Sequence, residues 1–340
     1  MEHAGAGHGA LRIALLVPCR NEAATVGQVV AAFRESLPQA QCHVLDNGSD
    51  DGTAALARAA GAVVHAVALP GKGNVVRRAF ADIEADVYVL VDGDATYEAA
   101  AAPLLVRRLL DDGLDMVVGA RVDRDPAAYR PGHRAGNRLL TRCVALLFGD
   151  SFEDMLSGYR VFSRRYAKSF PAHAAGFEIE TELAVHALQL RMPVAEVPTA
   201  YRARPEGSAS KLNTWRDGAR ILATIARLFK AERPLLFFSV GAAASLLLSL
   251  LLAVPLLLTW LETGLVPRLP TAVLCSALAL LAALLQACGL ILDTVTRGRI
   301  EAKRLAYLAI PRTRGSLDRS DGHAAPAATP RGSGGVADGG

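Results

Sequence analysis

The sequence predicts a doubly wound α/β domain, its sheet mostly parallel with helices on both faces. An amphipathic helix and a two-helix transmembrane hairpin follow it. Three observations carry this reading. Short apolar, β-branched runs alternate with helical patterns from Leu11 to Val118. Successive runs end in polar clusters, as strands do where an open sheet meets its ligands. Finally, Leu235 to Trp260 and Thr271 to Leu292 are uncharged and almost wholly apolar, each longer than the ~20 residues that span a bilayer.

Residues 1–10 are small, polar and rich in His and Gly, and are expected to be disordered rather than a signal peptide. Leu11 to Val17 is the first strand, ending at Pro18-Cys-Arg20-Asn21-Glu22, with a helix from about Thr25 to Ser36. Cys42 to Leu45 is the second, ending at Asp46-Asn-Gly-Ser-Asp-Asp-Gly-Thr53, a turn whose backbone donors and following helix N-terminus suit an anion. An Ala-rich helix runs to about Ala60, and a short strand lies near Val63 to Val67. Pro70-Gly-Lys72-Gly-Asn74 is a flexible turn before the next helix. Then comes Tyr88-Val-Leu-Val-Asp92-Gly-Asp94-Ala-Thr96, a buried strand that delivers two acids to its carboxyl end. A helix through Pro103 to Leu110 and a strand over Asp115 to Val118 complete the pattern.

Asp92 and Asp94 lie one residue apart, on the same side of an extended chain, so they can share one cation or one metal–diphosphate group. Acids also cap helices, but three successive strand ends with polar clusters exceed what capping needs. Gly71-Lys72-Gly73 matches neither G-x-G-x-x-G nor the G-x-x-x-x-G-K-[ST] phosphate loop, which sets aside dehydrogenase and ATPase readings. Asp92-Gly-Asp94-Ala-Thr96 also resembles the D-x-D-x-T of haloacid-dehalogenase-type phosphatases. That reading is an outsider, because about three strands precede the motif and no lysine lies between Thr96 and Gly149.

Bulk composition narrows the partners. The 340 residues carry a net charge of +4 and only 6% aromatics, with no dense basic run among them, so no nucleic acid is expected. The five cysteines lack C-x-x-C spacing and read as reduced, in a cytosol-facing protein.

Taken together, Val17-Pro-Cys-Arg-Asn-Glu22, Asp46 to Thr53, Gly71-Lys-Gly73 and Asp92-Gly-Asp94 stand in an order and spacing that resemble family 2 glycosyltransferases of the GT-A fold. Ser157-Gly-Tyr-Arg160, Phe177-Glu-Ile-Glu-Thr-Glu182 and the Tyr201 to Lys211 stretch resemble its dolichyl- and polyprenyl-phosphate sugar synthase branch. The resemblance covers about Leu11 to Lys230. It implies a nucleotide-sugar donor held by Pro18, Arg20, Asn21, Glu22 and Asp46, with Lys72 near it. It also implies Mg²⁺ or Mn²⁺ on Asp92, Asp94 and Thr96. Thr96 stands where dolichyl-phosphate mannose synthases often carry Gln, which leaves the sugar open. Arg121, Arg134 and Arg202, then Arg160 and Lys211, are the implied contacts of a polyprenyl phosphate acceptor, since guanidinium forks suit phosphate. Together with Asp94, Arg121, Arg134 and Arg202 form the expected catalytic group. Asp154, Glu178 and Glu180 are candidates to orient these arginines. A lipid phosphate is already ionised, so no strong general base is required.

The expected divisions are a glycosyltransferase domain over 11–214, an amphipathic helix over 215–233, spans over 235–260 and 271–292, and a disordered tail over 312–340. Basic residues flank the spans on one side, Arg216 to Arg233 before and Arg297 to Arg304 after, while Leu261 to Pro270 holds only Glu262 and Arg268. The positive-inside rule then places the catalytic domain in the cytosol. The Trp215 to Glu232 helix lies on the bilayer or packs on the domain. The hairpin could pair with copies of itself in a homo-oligomer. Two rival functions stay open: transfer to a neutral lipid or a protein, and a non-catalytic membrane scaffold.

Overall fold

The computed structural model describes residues 11–123, 142, 144–145, 152–173, 176, 178–202, 223 and 226–313. Residues 1–10 and 314–340, which hold the expected disordered N-terminus and all but the first two residues of the expected tail, fall outside it, as do most of 215–225. The strands are β1 (Ile13–Cys19), β2 (Ala40–Asp46), β3 (Val63–Ala66), β4 (Val87–Leu90), β5 (Met116–Asp123), β6 (Arg160–Ser163) and β7 (Val194–Tyr201). They form one sheet in the order β3-β2-β1-β4-β6-β5-β7. Every pairing is parallel except those of β6, which runs antiparallel to both β4 and β5.

The continuous apolar runs of β1 and β4 follow from burial on both faces. Ala14, Leu16, Tyr88 and Leu90 join the core on one side. Their alternate neighbours Ile13, Leu15, Val17, Val87 and Val89 join the core on the other. On that second side lie α1 (Val26–Ser36), α2 (Thr53–Ala59) and α4 (Ala102–Asp111). Helix α1 buries Val26, Val29, Val30 and Phe33, and α4 buries Ala102, Leu105, Val106 and Leu109, each set a stripe at helical spacing. The first side carries α3 (Lys72–Asp82), α5 (Arg164–Ser169) and α6 (Ile179–Leu190).

Two strands were not legible in advance. β6 is only four residues and opens with an arginine, so neither length nor pattern marks it. β7 contains Pro198. As an edge strand, it tolerates the missing N–H donor.

The last two helices among the described residues are α7 (Pro234–Thr263) and α8 (Leu269–Leu308), each long and apolar enough to cross a membrane. They include the expected spans and pack as a hairpin through small residues seven apart: Ala242 and Ser249 on α7, Cys275, Ala282 and Gly289 on α8. A Cβ at Gly289 would lie 3.1 Å from the Phe238 Cβ, so glycine permits the close approach. Ser249 Oγ donates to the Cys275 carbonyl at 2.8 Å, and Ser239 Oγ to Gln286 Oε1 at 2.9 Å. Helix α7 continues through Pro255.

Helix α8 runs well past 292, and this extension docks on the α/β domain. Tyr307 Oη donates to Asp115 Oδ2 at 2.7 Å, Arg165 Nε to the Ile310 carbonyl at 3.0 Å, and Lys303 Nζ to Gln189 Oε1 at 2.8 Å. Ile300 and Tyr307 pack against the core. Residues 226–232 are helical, and Leu228 rests on the same core. In the part of the predicted amphipathic helix that is described, then, packing on the domain is what is seen.

Candidate active site

The carboxyl ends of β1 and β2 are laced together. The Asn47 N–H donates to the Cys19 carbonyl at 2.9 Å. The Asn21 N–H donates to Ser49 Oγ at 2.9 Å, and Asn21 Oδ1 accepts from the Asp50 N–H at 3.0 Å. Asn21 sits at φ 55, a left-handed conformation that asparagine tolerates. The Glu22 N–H donates to Thr53 Oγ1, and Asp46 Oδ1 accepts from the Ser49 N–H at 3.2 Å. The expected nucleotide residues Asn21, Glu22 and Asp46 therefore belong to one bonded lip, with Pro18 at the end of β1 and Arg20 exposed beside it.

Asn47, which sequence reasoning passed over, carries this lip to the next loop. Its Nδ2 donates to the carbonyls of Val67 (3.0 Å) and Leu69 (2.8 Å), and its Oδ1 accepts from the Gly71 N–H at 2.7 Å. Its place one residue after Asp46, inside the quoted motif, was the available signal.

That loop presents Lys72. Its Nζ lies 2.5 Å from Asp92 Oδ1 and 2.6 Å from Glu180 Oε1, with the side chain 10% exposed. Burial works against the charge, but the two carboxylates outweigh it and hold the ammonium's pKa well above lysine's ordinary value. Glu180, expected to orient arginines, meets the lysine instead.

Past β4, Thr25 Oγ1 donates to the Gly93 carbonyl at 2.7 Å, pinning the acidic turn to α1's N-terminus. A Cβ at Gly93 would come within 2.5 Å of Cys19 Sγ, so any larger residue there would have to displace that buried thiol. Asp94 is buried, and its Oδ1 accepts from the Thr96 N–H (3.2 Å) and hydroxyl (2.6 Å). Thr96, implied as a metal ligand, thus spends its hydroxyl on orienting Asp94. Ser157 to Arg160 backs the same turn: the Gly158 N–H donates to Tyr97 Oη at 2.8 Å, and a Cβ on Gly158 would collide with Asp92.

The donor set fits a hard divalent cation. Among the described residues no group of three or more His, Cys, Asp or Glu side chains forms a self-sufficient cage. Two carboxylates one residue apart on the same turn suit a cation that takes its remaining ligands from water and substrate phosphate oxygens.

The arginines separate into distinct environments. Arg121 is locked fork-to-fork on Asp154, Nε at 2.7 Å and Nη2 at 2.8 Å, and its guanidinium lies 5.4 Å from the Tyr201 ring centroid. Asp154 thus orients an arginine, as expected. Arg202 is exposed, and its N–H donates to the Thr96 carbonyl at 2.9 Å, so the end of β7 meets the acidic turn. Arg160 corrects the sequence reading. It is fully buried, and its guanidinium donates to the carbonyls of Ser157 and Met155. There it braces the turn beside Asp92 and is closed off from an incoming lipid. Arg134 and Lys211 lie outside the described residues.

The family model for glycosyl transferase family 2 matches residues 14–170, from β1 to the end of α5. Glycosyltransferase AglJ of Haloferax volcanii is 40% identical over 236 residues, which cover 68% of this chain and 77% of that protein. The chain belongs to glycosyl transferase family 2. A further family relative, the dolichyl-phosphate hexose transferase of H. volcanii, is 28% identical over 65% of this chain and 95% of its own length. Among solved structures, glucosyl-3-phosphoglycerate synthase from Mycobacterium tuberculosis, in complex with Mn²⁺, uridine diphosphate and glucosyl-3-phosphoglycerate, superposes with a TM-score of 0.54. It is 27% identical, and the match covers 65% of this chain and 80% of that one. The fold is GT-A, and the protein is a glycosyltransferase.

Proposed function

We propose that this family 2 glycosyltransferase moves a hexose from a nucleotide-sugar donor to a polyprenyl phosphate, at the cytosolic face of a membrane, with inversion at the anomeric carbon. The observation that carries this reading is a single juxtaposition. Asp92, Asp94, Lys72 and Arg202 converge on one end of the sheet, in a domain clamped to two paired apolar helices.

Base and ribose rest on the lip formed by Pro18, Arg20, Asn21, Glu22 and Asp46. Asp92 and Asp94 would hold Mg²⁺ or Mn²⁺, whose chemistry when bound would be neutralisation of charge on the departing nucleoside diphosphate. Lys72 adds a fixed positive charge beside that diphosphate. Arg121 and Arg202, with Arg134 and Lys211 from the segments outside the described residues, receive the acceptor phosphate. An acceptor phosphate oxygen attacks the anomeric carbon, the bond to the diphosphate breaks, and no proton has to be removed. Positioning and charge neutralisation carry the step. The dolichyl-phosphate hexose transferase and the Mn²⁺–uridine diphosphate complex among the relatives support this assignment. The helices α7 and α8 span the bilayer, with the basic flanks on the cytosolic side.

The test is transfer of radiolabelled sugar by the purified full chain in liposomes. Undecaprenyl or dolichyl phosphate, Mn²⁺ or Mg²⁺ and a panel of UDP- and GDP-sugars are supplied. Label enters the lipid with one donor, is abolished by EDTA, and falls about 10²-fold or more in Asp94→Asn, the scale of a lost charge-stabilising group. Label appearing in a neutral lipid but never in the lipid phosphate overturns the acceptor assignment.

A further inference from the structure

Lys72 holds a position that the donor's cation must contest. Its Nζ contacts Asp92 Oδ1, one of the oxygens a cation would use, and on its other side Glu180 Oε1. Both partners of Asp92 cannot be served at full strength, since an ammonium and a divalent cation compete for one carboxylate. Glu180 is 6% exposed, and its Oε2 is buried with no hydrogen-bond partner among the described residues. A buried carboxylate left half satisfied by neutral donors depends on its counter-ion. Here that counter-ion is Lys72.

We propose that Lys72 is a shared counter-ion which caps Asp92 in the donor-free site, and that Glu180 is the positioning residue that draws it off when the cation–diphosphate arrives. This rests on the metal reading of Asp92 above. In the donor-free state Lys72 screens the repulsion between Asp92 and its acidic neighbours. When the cation takes Asp92, Glu180 retains the ammonium within reach of the diphosphate. Glu180 comes from α6, outside the strand ends that hold the nucleotide, so it ties this hand-over to the face of the domain on which α8 docks.

The two charges then act on cation affinity in opposite directions. Without Lys72, Asp92 is uncapped and binds a cation more tightly. Without the charge of Glu180, the ammonium falls wholly to Asp92 and binding weakens. A structural role would weaken both variants alike.

The experiment titrates Mn²⁺ alone into the full-length protein in detergent, followed by the paramagnetic resonance signal of free Mn²⁺. Wild type, Lys72→Met and Glu180→Gln are compared, and a thermal midpoint is taken for each. The expected result is an affinity higher by about threefold or more in Lys72→Met and lower by about tenfold in Glu180→Gln, the scale of one charge contact in a partly buried site. Equal affinities, or weakening in both, overturn the proposal and leave the metal reading standing. Binding of Mn²⁺ by no variant, wild type included, overturns both. If Lys72→Met does not fold, an unchanged affinity in Glu180→Gln overturns the proposal alone.

Discussion

Asp92 and Asp94 are one residue apart, yet they live in different surroundings. Asp92 is 29% exposed at its side chain and faces a lysine. Asp94 is buried and faces the hydroxyl and N–H of Thr96. This division suits one acid that is uncovered on demand and one that stays fixed. Sequence pattern picked out both carboxylates and Lys72, because strand ends and Gly-flanked turns are readable. It could not show Arg160 to be buried or Glu180 to face a lysine, since motif spacing does not report the direction of a side chain. His186 illustrates a different consequence of burial. It lies 1% exposed against Tyr166 and Phe170, and burial pushes its pKa down from 6.5 to about 3, with Lys303 adding to the effect. The folded state holds it neutral while the unfolded chain protonates it near 6.5. Its contribution to stability is therefore complete above that value and lost as the pH falls toward 3. Thermal midpoints between pH 7 and 4 should fall more steeply in the wild type than in His186→Gln.

Among the elements, the loops after β1, β2 and β3 work as one lip because side chains cross between them. Asn47 is the central tie, and Asn47→Ala leaves two carbonyls and one N–H without their partner. At about 1 kcal/mol for each bond, the domain should lose about 2–3 kcal/mol. Thermal unfolding in detergent reads this loss, and nucleotide-sugar affinity should drop with it. The elements themselves differ in how plainly they were written. β1, β2 and β4 are apolar runs bounded by polar turns, and α1 and α4 carry clean stripes. β6 has no such mark. It lies antiparallel between β4 and β5 because Ser157 to Tyr159 is bonded to Gly119 and Tyr97 across the sheet, a long-range fact without a local signature.

For the whole molecule, the defining contact is the seat of α8 on the domain. Only the apolar part of this helix was readable, as a span, and the docking of its polar end rests on partners more than a hundred residues away. Tyr307 donates to Asp115 and accepts from Arg165 Nη1 at 3.1 Å. Tyr307→Phe keeps the ring over Arg165 and removes the hydroxyl, which should loosen this seat by about 1–2 kcal/mol. Amide exchange over 300–310 should then quicken about tenfold. Unchanged exchange would show that apolar packing of Ile300 and the ring suffices.

A helix of 40 residues is ~60 Å long, about twice the thickness of a bilayer's hydrocarbon. If α8 spans a bilayer as proposed, its clamped far end makes it a rod that sets the height of the domain above the lipid. A thinner or thicker bilayer must then be met by tilting the rod, through hydrophobic mismatch, and the domain tilts with it. Under the proposed function, transfer to the lipid phosphate should therefore peak at one acyl-chain length when the liposome lipids are varied from 14 to 22 carbons. Tyr307→Phe, by loosening the joint between rod and domain, should broaden that peak.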